Sequence, residues 1–246
     1  MTTQEILKSC TVSRNVVSLP NVRLERKEYE DVKKALTGIG GKWVGGKTQG
    51  FVFATDPTAL LEKISGGEKI NLKKDFQFFG TPPHLADRLV ELAEINPHGE
   101  ILEPSAGQGA IVEAIARKFP DIFVYCCELM EQNRIILEKN PNAMIVCNDF
   151  MHFPLAKKFE RIIANPPFSN NQDIDHIKKM YSLLKNHGRL VTIASVHWRH
   201  SSNKKETEFR EWLNKVDAEV LDIPRGEFKK SGTGVQTCII VINKNA

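Results

Sequence analysis

Four short polar segments carry the side chains of this chain that could do chemistry, and each one follows an apolar run typical of a β-strand. They are residues 103–109 (Glu-Pro-Ser-Ala-Gly-Gln-Gly), Glu128, residues 148–150 (Asn-Asp-Phe) and residues 165–168 (Asn-Pro-Pro-Phe). An open sheet of parallel strands binds its ligands at the carboxyl ends of the strands. Core packing does not explain polar groups at four successive strand ends, so the pattern predicts one binding site built from all four.

The stretches around these segments alternate between strand and helix patterns, which is typical of a parallel sheet with helices on both faces. Because no helix separates the last two strands, they should form an antiparallel hairpin. The predicted fold class is therefore α/β: a Rossmann-like, doubly wound, mostly parallel seven-stranded sheet with a C-terminal antiparallel hairpin. We predict strands at 101–103, 122–127, 144–147, 160–164, 189–195, 218–223 and 236–242, and helices at 109–118, 130–139, 172–185 and 206–215.

A small α+β domain is predicted in front of this sheet. We assign it to residues 1–66, a linker to 67–80 and the catalytic domain to 81–246. Residues 1–14 are polar and are expected to be loosely ordered. The remaining predicted elements of the small domain are a strand at 16–19, a helix at 27–38, a hairpin of 42–44 with 50–53, and a short helix that ends near residue 64.

Charge is distributed unevenly between the two parts. Residues 1–74 contain 13 Lys and Arg against 8 Asp and Glu, a net of +5, whereas the remainder has 21 against 22, a net of −1. A basic segment on a near-neutral body suggests an anionic partner such as nucleic acid, and a solvated lysine-rich surface explains the charge equally well.

The predicted hairpin interleaves cations with aromatic rings: Lys42, Trp43, Lys47, Phe51 and Phe53. Such a pattern can stack bases and hold phosphates. The alternative, which we favour for the aromatic residues, is that their rings form the core of the small domain. Lys42 and Lys47 are then the better candidates for contact with nucleic acid.

The sequence argues against several other classes of protein. The five cysteines show no CxxC spacing, so we expect reduced core thiols in a cytoplasmic protein rather than a disulfide framework or a metal site. Adjacent Cys126 and Cys127 should point to opposite faces of a strand. The N-terminus lacks the pattern of a signal peptide. No apolar run approaches the roughly 20 residues that span a bilayer, so no membrane partner is expected.

The glycine loop at 103–109 is compatible with more than one nucleotide-like ligand. A dinucleotide-binding loop needs a third glycine where this chain has Val112. S-adenosylmethionine fits better, because the loop accommodates its methionine end and Glu128 can accept bonds from ribose hydroxyls. Asp149 can accept from the adenine amino group, and Phe150 can flank the adenine ring.

With these residues in place, the chain resembles class I S-adenosylmethionine-dependent methyltransferases over roughly residues 75–246. Within that class it is similar to N6-adenine DNA methyltransferases of the gamma arrangement, with Ser105 where many methyltransferases have glycine. Phe79-Gly-Thr81-Pro82 and the late loop around Phe228 match further segments of that family. The resemblance implies cofactor binding by Phe79, Thr81, Pro82, Glu103, Ser105, Ala106, Gly107, Gly109, Glu128, Asn148, Asp149, Phe150 and Asn165.

The same resemblance assigns catalysis to Asn165, Pro166, Pro167 and Phe168. The Asn165 side-chain oxygen and the Pro166 carbonyl can each accept one hydrogen of a target amine. Phe168 offers one stacking face, and Phe228 is the candidate for the other, although either ring could be core. Predicted phosphate contacts are Arg199, Lys229 and Lys230, together with Lys42 and Lys47.

Asp173 and His176 lie one helical turn apart just after the catalytic tetrapeptide. A helix cap and a solvated histidine are the favoured interpretation, and cleft-lining roles are the alternative.

The preferred function is methylation of the N6 amine of adenine in DNA, with DNA favoured over RNA. Alternatives are methylation of a base amine in RNA, methylation of a protein glutamine, and a non-catalytic cofactor-binding subunit. Gamma-arrangement enzymes usually carry a large target-recognition domain after the catalytic body, and here the chain ends after the last predicted strand. Sequence recognition is therefore expected from the small domain or from a partner chain, or the enzyme is weakly specific.

Overall fold

The backbone divides into two compact units, Met1–Phe78 (the small unit) and Phe79–Ala246 (the large unit). A computed structural model of the chain describes residues 1–72, 79–229, 231 and 233–245. Within these residues, no helix has the length and apolar character needed to cross a membrane.

The small unit consists of short helices and strands: α1 (Thr3–Lys8), β1 (Thr11–Ser13), β2 (Val16–Ser18), α2 (Arg26–Gly38), β3 (Lys42–Val44), β4 (Gly50–Val52) and α3 (Thr58–Ser65). Its strands form a four-stranded antiparallel sheet in the order β1-β2-β4-β3. The predicted hairpin forms as β3 paired with β4, so that Trp43 lies opposite Phe51. The core of the unit includes Val32 and Leu36 from α2, Phe51 from β4, and Phe53, which follows β4.

The expectation that residues 1–14 are loosely ordered is wrong. Thr2 and Glu5 form a capping box at the start of α1, in which the Thr2 hydroxyl accepts from the Glu5 N–H. Ile6 and Leu7 are buried in the core of the small unit. Strand β1 follows and pairs with β2. Two apolar residues are therefore enough to anchor this helix. Because the rest of the stretch is polar, its sequence pattern gave little indication of an ordered element.

The large unit alternates strands and helices: α4 (Pro83–Leu92), β5 (Ile101–Glu103), α5 (Ala110–Lys118), β6 (Val124–Cys127), α6 (Glu131–Leu137), β7 (Ala143–Cys147), β8 (Phe159–Ala164), α7 (Gln172–Ser182), β9 (Leu184–Ser195), α8 (Lys204–Lys215), β10 (Glu219–Asp222) and β11 (Thr237–Asn243). Its strands form a seven-stranded sheet in the order β10-β11-β9-β8-β5-β6-β7. They are parallel except β11, which runs antiparallel to both β9 and β10. The predicted Rossmann-like sheet with its C-terminal hairpin is thus confirmed.

Strand β9 is longer than predicted, because it begins at Leu184 where the sequence pattern suggested the end of a helix. Leu184 pairs with Phe159 of β8, and both side chains are buried. Pairing to the sheet therefore outweighs the helical pattern of residues 183–185.

Apolar side chains cover both faces of the sheet and make two core clusters. Cys126 lies in one cluster and Cys127 in the other, as predicted for neighbouring residues of a strand. Strands β5 and β8 are neighbours at the centre of the sheet, and their connections lead to opposite sides. A crevice forms at such a reversal of strand order. The polar segments after β5, β6, β7 and β8 all begin at this carboxyl edge.

Candidate active site

The loop after β5 folds against the end of β6. The Ala106 N–H donates to the Cys127 carbonyl at 3.0 Å. Gly107 and Gly109 both have positive φ angles, 56° and 90°, which glycine adopts without steric cost. A Cβ on Gly109 would stand 3.0 Å from the Leu137 Cδ1 atom. The left-handed backbone conformation therefore favours glycine at Gly109, just before α5, and a Cβ there would also require the Leu137 side chain to move.

Glu128 is fixed by donors from three places. Its Oε2 accepts from the Gly107 N–H at 2.7 Å, and its Oε1 accepts from the Met130 N–H at 2.8 Å and from Asn133 Nδ2 at 3.3 Å. Burial raises the pKa of Glu128, and the hydrogen bonds from these donors oppose that rise. The structure thus brings the predicted ribose-binding acid to the predicted cofactor loop.

Glu103 ends β5 and is only 2% exposed. Burial raises its pKa well above the ordinary value, and the neighbouring Glu128 carboxylate raises it further. Within the described residues, no hydrogen-bond donor or acceptor reaches Glu103 Oε2. A buried oxygen without a partner is costly, so this carboxyl marks a place where a polar group of a ligand would be accommodated.

The segment after β7 places Asp149 at the start of a short 3₁₀ helix, Phe150–His152. The Asp149 carboxylate accepts from the Met151 N–H at 2.8 Å and lies 2.7 Å from the His152 ring nitrogen. Burial tends to raise the pKa of Asp149, but these two hydrogen bonds outweigh it and lower the pKa. Phe150 is buried, with its ring centroid 5.3 Å from that of His176.

Asn165 follows β8, and its side-chain amide is held on one side only. Nδ2 donates to the Phe79 carbonyl and to Thr81 Oγ1, each at 3.1 Å. The other atom of the amide, Oδ1, is buried and has no hydrogen-bond partner in the part of the chain that the structure describes. Its two lone pairs therefore remain available to a donor that enters the site.

The aromatic residues predicted to hold a base lie in the core rather than on an open surface. Phe168 is 9% exposed and Phe228 is 1% exposed, and both belong to the same cluster as Leu85 and Ala106. The Phe228 carbonyl accepts from the N–H groups of Ser231 and Thr233. Phe168 retains a small accessible fraction, whereas the Phe228 ring has no free face in this conformation.

The late loop that contains Phe228 docks on the segment before α4. Ser231 Oγ donates to the Gly80 carbonyl at 2.6 Å. His84 and Glu227 also meet, with 2.6 Å between Nε2 and Oε2. Of the two lysines predicted to contact phosphate there, Lys229 is exposed and Lys230 lies outside the described residues.

The remaining predicted phosphate contacts are Arg199, Lys42 and Lys47. Arg199 pairs with Asp222 at 2.7 Å, and its guanidinium carbon lies 5.7 Å from the Trp198 ring centroid. Lys42 and Lys47 belong to the small unit, where both are exposed. The ring of Trp43 meets Phe51 edge-on at 5.2 Å and is 46% exposed, so it is not part of the core in the way that Phe51 and Phe53 are.

The expectations for Asp173 and His176 need correction. Asp173 is buried and accepts from the backbone N–H of Ile174 and of Ser195, so it ties α7 to the end of β9 instead of capping α7 in solvent. His176 is buried rather than solvated, and burial lowers its pKa to about 4.

Sequence reasoning also missed the contacts that orient Asn165. The partners of its Nδ2 are 84 and 86 residues away along the chain. Thr81 was assigned to the cofactor by resemblance alone, and no local pattern in the sequence links it to Asn165.

The polar groups at these strand ends fit S-adenosylmethionine. The loop at 105–109 has two glycines in conformations that permit close approach, and carboxylates at Glu128 and Asp149 follow the next two strands. Glu103 Oε2 and Asn165 Oδ1 are buried oxygens without hydrogen-bond partners among the described residues. A ligand with ribose hydroxyls and amino groups supplies polar partners of the kind that such a set requires.

Comparison with known proteins supports this assignment of the fold and cofactor. A family model described as "Methyltransferase small domain" matches residues 85–218. A release factor glutamine methyltransferase from Koribacter versatilis (strain Ellin345) is 24% identical over 102 residues, which is 39% of this chain and 36% of that protein. An rRNA methyltransferase from Streptomyces thermotolerans is 27% identical over 127 residues, which is 51% of this chain and 40% of that protein. The chain therefore matches less than half the length of each relative.

A solved structure with a similar backbone, from Vibrio vulnificus YJ016, is described as "a modification subunit of a putative type I restriction enzyme". It superposes with a TM-score of 0.59 at 14% identity and covers 92% of this chain and 51% of that one. At this level of identity, the likeness establishes a common fold.

Proposed function

This chain belongs to the methyltransferase small domain family, and from that premise we propose that it transfers a methyl group from S-adenosylmethionine to the exocyclic N6 amine of adenine in DNA. S-adenosylmethionine is the cofactor of the domain. The observation that carries the proposal is the Asn165 amide, whose Oδ1 is buried without a partner in the described structure while its Nδ2 is fully engaged. An acceptor of this kind, next to the Pro166 carbonyl, suits a target that brings two N–H hydrogens.

The chemistry of an adenine amine explains why two acceptors matter. Its lone pair is delocalised into the ring, which makes the nitrogen a weak nucleophile. If Asn165 Oδ1 and the Pro166 carbonyl each accept one hydrogen, the nitrogen is favoured in a pyramidal geometry with its lone pair directed outward. Proline fixes φ at Pro166 and Pro167 and so restrains the direction of the carbonyl. Most of the rate then comes from positioning.

The cofactor residues have distinct proposed tasks. Glu128 would accept from ribose hydroxyls, and the loop around Gly107 would lie against the methionine end. Asp149, with Asn148 and Phe150, would receive the adenine moiety. Phe79 and Pro82 would close the methionine side. When bound, S-adenosylmethionine supplies an electrophilic methyl group on a sulfonium centre, so the protein needs no strong general base.

DNA is the preferred substrate, although the relatives differ in theirs. One similar structure is the modification subunit of a restriction enzyme, and the curated relatives are named for rRNA and for a release factor glutamine. The glutamine named for one relative carries a side-chain amide nitrogen, and an adenine amine likewise brings two N–H hydrogens to an acceptor such as Asn165 Oδ1. A macromolecular anion is favoured because the small unit exposes Lys42 and Lys47, together with the ring of Trp43, on its β3–β4 hairpin. A partner chain is proposed for sequence recognition.

A base within a duplex must leave the stack to reach such a site. Phe168 would then contact one face of the base. Contact of Phe228 with the other face requires the late loop to move, because the ring is buried. Phosphates near the site would meet Lys229, Lys230 and Arg199, the last by exchanging Asp222 for phosphate.

The decisive experiment is identification of the modified nucleoside. The full chain is incubated with methyl-labelled S-adenosylmethionine and, separately, duplex DNA, single-stranded DNA, structured RNA and a glutamine-containing release factor protein. Labelled N6-methyladenine released from DNA supports the proposal. Label confined to RNA or to protein would replace DNA by the corresponding alternative, and cofactor binding without transfer to any of them would support a non-catalytic subunit.

A further inference from the structure

The Asn165 side chain is an amide, and an amide can rotate by half a turn to exchange its oxygen and its nitrogen. The two orientations occupy the same space and differ only in their hydrogen bonds. With Nδ2 directed into the site, the side chain would present donors to an amine that needs an acceptor. The protein must therefore select one orientation, and the selection has to come from atoms outside the catalytic tetrapeptide.

Two atoms of the segment before α4 meet Nδ2. The Phe79 carbonyl, 3.1 Å away, can only accept, so it favours the nitrogen over the oxygen. Thr81 Oγ1, also at 3.1 Å, takes the second hydrogen of the amide. Together they satisfy both donors of Nδ2 and leave Oδ1 as the free end.

The Thr81 backbone is itself restrained. The residue before a proline is biased to an extended conformation, and Thr81 precedes Pro82 just as Asn165 precedes Pro166. The Pro82 carbonyl accepts from the N–H groups of Leu85 and Ala86 in the first turn of α4, which anchors the segment to a buried helix. Ser231 Oγ holds the Gly80 carbonyl from another direction at 2.6 Å.

We infer that Thr81 is a positioning residue for the acceptor amine: its hydroxyl, with the Phe79 carbonyl, fixes the Asn165 amide so that Oδ1 faces the substrate. This role rests on the proposed function of Asn165 and differs from the contact with the cofactor that family resemblance assigns to Thr81. The two roles make opposite predictions about which kinetic constant depends on the hydroxyl.

The test compares Thr81→Val, which removes the hydroxyl at similar volume, with Thr81→Ser, which retains it. At saturating S-adenosylmethionine, Thr81→Val should lower kcat about tenfold, the factor that corresponds to one hydrogen bond of ordinary strength. Its Kd for S-adenosylmethionine, measured by calorimetry, should stay within about twofold of the wild-type value, as expected when a lost hydrogen bond does not touch the ligand. Thr81→Ser should recover most of the rate.

A second measurement does not depend on turnover. In ¹⁵N–¹H spectra of the full chain, the Asn165 side-chain amide is assigned by its loss in Asn165→Ala. Thr81→Val should shift one of its two proton resonances upfield because that proton loses its acceptor, and Thr81→Ser should leave both near their wild-type positions.

The outcomes separate the possible errors. A weakened Kd with unchanged kcat in Thr81→Val would make Thr81 a cofactor ligand and overturn the positioning role. An equal loss of kcat in Thr81→Val and Thr81→Ser would indicate that Thr81 acts through packing. Unshifted amide protons in Thr81→Val would show that no hydrogen bond was lost. If the wild-type chain labels neither DNA nor RNA, the proposed substrate fails, while the amide spectra still decide whether Thr81 orients Asn165.

Discussion

The large and small units hold their candidate functional groups in opposite ways. In the large unit, Asn165 and Glu128 are held by backbone and side-chain partners, and Asn165 Oδ1 is left without one among the described residues. In the small unit, Lys42, Trp43 and Lys47 stand on the surface of an edge hairpin. Groups that act on a reacting atom need a fixed direction, whereas groups that attract a polyanion need only charge and reach.

This difference has an energetic counterpart. A buried polar group is costly unless it is paired, so Glu103 and Asn165 Oδ1 reduce the stability of the large unit until a ligand satisfies them. Exposed lysines carry no such cost. Substitutions in the large unit should therefore produce large, specific effects, and those in the hairpin should produce small effects that depend on salt.

Asn165→Ala should have the largest effect. It removes the side-chain acceptor for the amine hydrogen, and loss of one oriented group at a reacting atom typically lowers kcat about 10²–10³-fold. Single-turnover transfer from labelled S-adenosylmethionine measures the loss, and cofactor affinity by calorimetry serves as the control because it should change little. Near-normal transfer by Asn165→Ala would contradict the role of this amide.

Glu128→Gln should mainly weaken cofactor binding. A charge-assisted hydrogen bond to a ribose hydroxyl is lost, and the Gln amide cannot accept simultaneously from the Gly107 and Met130 N–H groups on its two sides. We expect Kd for S-adenosylmethionine to rise about tenfold to a hundredfold, with a smaller change in kcat at saturation. Glu131→Gln, at an exposed position in the first turn of α6, is the matched control. An unchanged Kd in Glu128→Gln would remove Glu128 from the cofactor site.

The fold and the strand ends of the large unit could be predicted from sequence because both depend on local patterns. Strand, loop and helix alternate with clear breaks, and the polar segments directly follow apolar runs. The burial of Cys126 and Cys127 on opposite faces follows from the two-residue period of a strand. Because β5 and β6 are adjacent parallel strands, their carboxyl ends lie side by side, which places Glu128 against the glycine loop.

Other features depend on contacts between distant residues, which no local pattern contains. The Phe79 carbonyl, for example, meets the Asn165 side chain across 86 residues of the chain. Phe228 and His176 are in polar-looking stretches, yet both are buried by elements that pack over them. Helix α1 illustrates a different difficulty: its capping box is visible in Thr2 and Glu5, but only the packing of Ile6 and Leu7 stabilises so short a helix.

Glu103→Gln should stabilise the large unit at alkaline pH. The folded state raises the pKa of Glu103, so the stability of the wild-type protein is greatest at acidic pH and falls as pH rises through that elevated pKa. Glutamine does not titrate, so the difference between the two proteins should be small near pH 5 and reach about 2 kcal/mol in the free energy of unfolding near pH 8.

Urea denaturation at both pH values measures this difference, and Glu113→Gln at an exposed position of α5 is the control. A Glu103→Gln protein that is less stable than wild type at pH 8 would mean that the buried carboxylate is paired after all. Such a result would weaken the contrast between the large unit, whose buried polar groups lower its stability, and the hairpin, whose exposed lysines do not.

Replacement of Lys42 and Lys47 by alanine should have the smallest effect on the reaction itself. Each lysine that contacts a phosphate releases about one counterion, so the slope of log K against log salt should fall by about two for the double variant. Duplex and single-stranded DNA affinity should fall about tenfold at low salt, with kcat at saturating DNA unchanged. The matched control replaces Lys63 and Lys69 of the same unit, which are exposed but lie outside the hairpin. An equal loss of DNA affinity in both double variants would mean that the small unit contributes only diffuse positive charge. Unchanged affinity in both would mean that the hairpin does not contact DNA, and the exposed position of Trp43 would then need another explanation.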